Sequence, residues 1–271
     1  MKAGVSAWDG VQLAGSALMG AFLILPVLGL VATLSWEDFL GGLRNPLLGP
    51  ALRLSLFTTS SSLALVVVFG LLLAWRVARN PGRASRVLEA IAQLPAVIPP
   101  AVAGVGLLLA FGRRGLLGAW LDRHGIGLAF STPAVILAEA FVSAPFFVQS
   151  AIAAFRRLDE NLLVVARTLG ASPFRTFLRV GLPLAAPGLV AGAAMSWARA
   201  VGEFGATLLF AGNLTGRTQT MPLAVYTAME SDLRAAQALS LILVAVAFAL
   251  LFVLRRVAPA AMLPGTEARG A

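Results

Sequence analysis

At 271 residues, 59% of them hydrophobic and 12% charged, the chain carries about half the charged surface that a soluble domain uses to cover itself. Cysteine is absent, His124 is the one histidine and Lys2 the one lysine, which excludes disulfides, thiolate or His-rich metal sites, a cysteine nucleophile and the Gly-Lys-Ser/Thr phosphate loop of an ATPase. The net charge of +9 is almost wholly arginine, and in so apolar a chain it reads as membrane topology before it reads as a binding surface; nothing points to nucleic acid. Apolar runs longer than roughly 18 residues predict an all-α integral membrane protein with six spanning helices, at 11–34, 52–76, 87–111, 132–155, 183–211 and 235–254.

The first run is flanked by Lys2 and Asp9 and is longer than the apolar stretch of a typical signal peptide, so it is expected to stay as a membrane helix. The second carries Thr58 to Ser62, small hydroxyl residues whose plain reading is close helix packing. The third contains Pro95, Pro99 and Pro100, which remove backbone donors and must kink or break it. A break in lipid needs protein or a water-filled cavity around it, so this is either a gate or a packing kink. The sixth is a plain apolar span.

Arginine counting sets the orientation. With the N-terminus inside, inner segments hold thirteen basic residues and outer segments seven, while Arg199 lies within a span. Both termini are then cytoplasmic. The chain divides into a first helix and outer loop (1–51), a core of five helices (52–257) whose largest inner loop is 156–183, and a cytoplasmic tail (258–271).

That inner loop, LDENLLVVARTLGASPFRTFLRVGLP, reads as two short helices. Asp159 caps the first, and Gly170 ends it in the left-handed conformation. Ser172 caps the second, with Pro173 at its first position. Phe174, Phe177 and Leu178 form one apolar stripe, and Arg175 and Arg179 share another face. The residues leave three readings: a basic loop on anionic headgroups, an interfacial anchor helix, or a plug that fits a groove on a cytoplasmic partner.

The loop resembles the coupling loop of ABC importer permeases, whose pattern is Glu-Ala-Ala, three residues, Gly, nine residues, Ile-x-Leu-Pro. Here Ala166, Gly170, Leu182 and Pro183 keep that spacing, and Val164 and Val165 stand at the Glu and first Ala positions. The resemblance implies the type I importer permease fold. It also implies that Ala166, Arg167, Gly170, Ser172, Pro173, Phe174, Arg175, Leu182 and Pro183 meet a separate ATP-binding subunit, which binds ATP and Mg while this chain binds no cofactor and is not an enzyme.

In the fifth run Arg199 and Glu203, four residues apart, are charges inside a span. They form an internal ion pair or border a solute path. Gly202 and Gly205 flank Glu203 and permit close approach or local unwinding. The stretch AR-x-x-GEFGAT, FAGN and G-x-T-x-T-x-P-x-A-x-Y resembles permeases for tetrahedral oxyanions, molybdate and tungstate most, sulfate less. LPAVIPPAVAG (94–104) and FGRRGLLGAWLDRHGIGLAFS (111–131) support the molybdate type.

The resemblance, over about residues 50 to 256, implies a homodimer in a bacterial or archaeal cell (inner) membrane. Two ATP-binding cassette subunits would sit on the cytoplasmic face and an oxyanion-binding protein outside. It implies a path bordered by Arg199, Glu203, Gly205, Thr207, Pro99 and Pro100. Arg113 and Arg114 lie outside against the charge bias, as loop or headgroup contacts, as docking groups for the binding protein, or as steering charges for a dianion. His124 reads as a solvated loop residue. The alternatives are a sulfate or other anion cargo, or an ATPase-independent channel or secondary transporter.

Overall fold

A computed structural model describes residues 7–257, with side chains from residue 8 to residue 252; Lys2 and the expected tail, 258–271, lie outside the described residues. The described chain is helical, in the order α1 (Ala7–Ala32), α2 (Trp36–Leu43), α3 (Leu48–Arg79), α4 (Arg83–Val97), α5 (Pro100–Phe111), α6 (Gly118–Arg123), α7 (Thr132–Arg156), α8 (Glu160–Thr168) and α9 (Pro173–Thr176). A π-helical turn, Phe177–Gly181, then leads into α10 (Leu182–Val201), α11 (Gly205–Ala211), α12 (Met221–Ser231) and α13 (Leu233–Val257).

Among the described residues five helical stretches are long and apolar enough to cross a membrane: 8–32, 48–79, 132–156, 173–201 and 233–252. The third predicted run is not one helix. It is broken between Val97 and Pro100, and α4 and α5 meet at a bend of 116°. The prolines are the cause: Pro99 and Pro100 have no N–H to continue the α4 ladder, and Pro100 instead starts α5 at its first turn.

The bent pair nevertheless carries the chain back across. The Thr58 hydroxyl meets Glu139 within the first half of both α3 and α7, and Arg79 donates to the Phe155 carbonyl where both helices end, so α3 and α7 run parallel. The chain between them must return to the starting side, which makes six crossings. Helix α10 runs antiparallel to α7, with Gly188 against Ala154 and Gly192 against Ser150. Gln237 of α13 donates to the Leu30 carbonyl (3.1 Å) and to Thr33 at the end of α1, and Arg234 pairs with Asp38 at 2.8 Å. Helices α1 and α13 therefore share one turning end, and residues 7 and 257 lie on the same side as the loop after α7.

The core falls into three apolar clusters. Val66, Ala74, Phe147, Ile152, Phe155 and Leu189 join α3, α7 and α10. Ala103, Leu107, Ala134, Val135, Ala206 and Phe210 join α5, α7 and α11. Ala51, Met221, Ala224 and Leu239 join α3, α12 and α13. Outward-facing Phe22, Leu23, Phe69 and Phe248 are exposed, which in a membrane places them in hydrocarbon, the environment that suits them.

All three segments predicted as outer loop hold a helix, α2, α6 and α12. Ser35 starts α2 by accepting from the Asp38 N–H (3.1 Å). Its hydroxyl donates to the Asp38 carboxylate, and that bond, with the Arg234 guanidinium, holds the Asp38 carboxyl below its ordinary value. Thr220 and Pro222 start α12, whose first N–H, that of Met221, donates to Ser55 Oγ on α3 (2.7 Å).

The fifth predicted run, 183–211, is also corrected. The helix begins at Pro173, runs through Val201 and breaks at Gly202. Pro183 does not open the span. It lies within a continuous helix and has no N–H for the carbonyl four residues back. The chain widens into a π turn just before it, where the Leu182 N–H bonds to the Phe177 carbonyl.

Candidate functional site

At the end of the molecule where α3 and α7 finish, α8 and the start of the long 173–201 helix form a hairpin. Asp159 Oδ1 accepts from the Asn161 N–H (2.9 Å) and starts α8. At its other end the Gly170 N–H donates to the Arg167 carbonyl (2.9 Å) and the Ala171 N–H to the Ala166 carbonyl (3.0 Å), the paired bonds of a Schellman ending. Gly170 has φ +85°, a conformation that favours glycine. Ser172 Oγ then accepts from the Arg175 N–H (3.3 Å), and Pro173 occupies the first turn. The expected capping chemistry is present at each of these positions.

The expected single stripe is not. Phe174 is 69% exposed, while Phe177 turns inward against Trp75 and Phe155, with ring centroids 5.1 and 6.2 Å away. The inward side of this short helix falls on Thr176 and Phe177, and Phe174 lies off its edge. The hairpin therefore has two sides. Leu163 and Thr176 are buried toward the membrane helices, and Arg167, Leu169, Gly170, Pro173, Phe174 and Arg175 are exposed on the other. Ala166 and Leu182 are half-buried, and Pro183 is exposed higher up the helix.

A second constellation forms where α10 breaks. Arg199 and Glu203 pair at 2.8 Å; the glutamate side chain is 1% exposed and the arginine 27%. Glu203 Oε1 also accepts from the Ala206 N–H (2.8 Å), so the carboxylate covers the positive end of α11 as well as the guanidinium. Gly205 lies against Pro100 and Ala101, which places the α10–α11 corner on the α4–α5 break. Four of the six path candidates are thereby tied together, Pro100, Arg199, Glu203 and Gly205, and Thr207 follows two residues along α11. Pro99 stands at the exposed start of α5. The Thr207 hydroxyl is buried and has no hydrogen-bond partner among the described residues.

One residue near this constellation was missed from the sequence. Glu139, in the apolar run of α7, is 1% exposed, and Thr58 Oγ1 donates to its Oε1 (2.9 Å). Its signal was there to read: a lone acid in the middle of a span. The hydroxyl cluster on α3 is thus more than small-residue packing, because it supplies a partner to a buried carboxyl. Thr58→Val removes that donor, and we expect a loss of about 1–3 kcal/mol, the cost of an unsatisfied buried polar group. Thermal unfolding of the detergent-solubilised protein reads it, with Thr58→Ser expected to stay close to the parent.

At the opposite end from the hairpin, Arg113 forms an ion pair with Asp122 at 3.7 Å and remains 83% exposed. Arg114 lies beside it in the same exposed turn. His124 packs on Trp120, with ring centroids 4.5 Å apart, and its Nδ1 is 2.8 Å from the Trp120 carbonyl oxygen. It is exposed, as expected of a solvated loop residue, and stands at the C-cap just after α6.

A six-crossing helical protein with a broken third crossing, a broken fifth helix and a capped, exposed hairpin at one face is a multi-pass membrane permease. The chain belongs to the family of binding-protein-dependent transport system inner membrane components, whose model matches residues 66–262. It is 45% identical over 226 residues to the molybdenum transport system permease protein ModB of Mycobacterium bovis, a match covering 83% of this chain and 86% of that one. It is 35% identical over 236 residues to the sulfate transport system permease protein CysT of Escherichia coli, covering 85% and 84%. In fold it is similar to a bacterial ABC transporter involved in the import of the acidic polysaccharide alginate, with TM-score 0.75, 16% identity, and coverage of 92% of this chain and 94% of that one.

Proposed function

We propose that this chain is the permease subunit of an ATP-driven importer of tetrahedral oxyanions, molybdate or tungstate before sulfate. It works as a homodimer with two separate ATP-binding subunits, which hold ATP and magnesium, and with an extracytoplasmic binding protein. The observation that carries the reading is the two-sided hairpin. Its buried side is fixed to the membrane helices, and its outer side presents Leu169 (82% exposed) and Phe174 among arginines, a surface suited to a groove on a partner. A loop that only obeyed charge bias would need neither the Schellman ending nor the serine-capped restart.

The hairpin face is the cytoplasmic one in this reading, since Arg76, Arg79, Arg83, Arg86, Arg156, Arg157, Arg167, Arg175 and Arg179 all lie in the segments at that end. Both chain ends are then cytoplasmic. Arg113 and Arg114 face the binding protein. The corner of Pro99, Pro100, Arg199, Glu203, Gly205 and Thr207 borders the path, where the exposed part of Arg199 is available to a dianion. Molybdate is favoured over sulfate by the higher identity to the molybdenum permease, and the 35% identity to the sulfate permease keeps sulfate as the second reading.

The test is uptake of radiolabelled molybdate into proteoliposomes holding this chain and the ATP-binding subunit, with the loaded binding protein outside. ATP-dependent uptake that tungstate blocks and a large excess of sulfate does not is the expected result. Uptake without the ATP-binding subunit would overturn the importer reading, and equal competition by sulfate would overturn the cargo.

A further inference from the structure

Behind the hairpin lies an aromatic junction that the proposed docking surface does not use. Trp75 at the end of α3 packs edge-on against Phe155 at the end of α7 and against Phe177 in the π turn, each with a centroid separation of 5.1 Å. The Arg79 guanidinium lies over the Trp75 ring, 5.4 Å from its centroid, and donates to the Phe155 carbonyl. On its other side Arg79 is within electrostatic reach of Glu160 and Arg167 on α8. A Cβ at Gly181 would stand 2.6 Å from Trp75 Cζ3, so the indole occupies the place a side chain would take. Three separate crossings, one of them continuous with the second arm of the hairpin, thus meet on one indole, and Arg79 links it to the first arm.

The helix beginning in the hairpin is continuous for 29 residues, from Pro173 to Val201, about 43 Å at 1.5 Å per residue. Its far end carries Arg199, and the carboxylate paired with Arg199 caps α11 beside the α4–α5 break. A continuous helix held at a tight aromatic contact near one end moves its other end when it tilts. A packed contact of this kind settles into discrete arrangements rather than yielding continuously.

We infer that Trp75 and Phe177 are positioning residues that convert movement of the hairpin into movement of the Arg199–Glu203 corner, with the π turn at Gly181 as the pivot; this rests on the coupling reading given above. The junction does not bind the ATP-binding subunit. It sets how much of that subunit's motion reaches the path.

The experiment measures ATP hydrolysed and molybdate imported in the same proteoliposomes. Trp75→Ala, Phe177→Leu and Gly181→Ala are each compared with the parent, and the complex is purified through a tag on the ATP-binding subunit. We expect the three variants to co-purify with that subunit and to hydrolyse ATP, while molybdate imported per ATP falls about tenfold or more, in the range of a coupling change. Trp75→Phe, which keeps an aromatic face, is expected to recover most of the ratio. A parent-like ratio in whichever of the three variants assemble would overturn the inference. So would loss of assembly in all three variants and in Trp75→Phe alike, because that marks a structural role. If the parent chain itself fails to co-purify with the ATP-binding subunit, the coupling reading falls instead, and the two failures are told apart in one preparation.

Discussion

Gly170→Asp is expected to abolish ATP-driven uptake, by more than about a hundredfold, near the upper end of measured coupling effects, while leaving the protein inserted and folded. Gly170 sits at φ +85° at the hairpin tip, with no atom within 4 Å of where a Cβ would stand. A side chain there meets no clash within the chain, and the conformational strain is about 1–2 kcal/mol, least for Asn and Asp. That strain is confined to an exposed turn far from the three core clusters, so global stability has little reason to change. The tip lies between Leu169 and Pro173, in the centre of the surface proposed to enter the partner's groove, and there a carboxylate adds both bulk and a buried charge. Gly170→Asn keeps the backbone preference without the charge and is expected to retain more uptake than the aspartate. The measurements are uptake and co-purification with the ATP-binding subunit, beside thermal unfolding of the isolated chain. Normal uptake with aspartate at 170 would remove the hairpin from the coupling path.

How much of this was legible beforehand depends on the range of the interaction. The Gly170 ending and the Ser172-Pro173 restart are local chemistry, set by residues within four positions, and they read correctly from the chain. The four uninterrupted crossings nearest their expected bounds, α1, α3, α7 and α13, follow from apolar length alone. The helix starting at Pro173 did not read correctly, because Pro183 reads locally as a beginning. Only the π turn, with Trp75 from another crossing lying against Gly181, lets the helix pass through it. The break at Gly202 was legible as one of two options, because Gly202 and Gly205 beside Glu203 permit either close approach or local unwinding. What ends the helix is Glu203 turning to cap α11, and that was legible only as two options for a charged pair. Glu139 was overlooked although its signal was local, since the hydroxyl that donates to it, Thr58, is 81 residues away in sequence. The break at the prolines was legible, and the size of the bend, 116°, was not.

Glu203→Ala should be the most destabilising single change at the path corner, by about 3 kcal/mol or more. Two losses combine. The Ala206 N–H at the start of α11 loses its acceptor, worth about 1 kcal/mol as a cap. Arg199, 27% exposed, keeps its charge without the carboxylate 2.8 Å away, and an uncompensated charge at this depth is the larger cost. The series that separates these terms is Glu203→Gln, Glu203→Ala, Arg199→Met and the double change Arg199→Met with Glu203→Gln. Glutamine keeps an oxygen for the Ala206 N–H and loses only the ion pair, so it should fall between the parent and alanine. The double change removes the stranded charge and retains the cap, so it should be more stable than Glu203→Ala in thermal unfolding. If both path groups serve only to hold the corner, uptake by the double variant recovers along with its stability. If Arg199 also meets the dianion, stability returns and uptake does not, and that divergence is the result expected from the exposed part of its side chain beside the α4–α5 break.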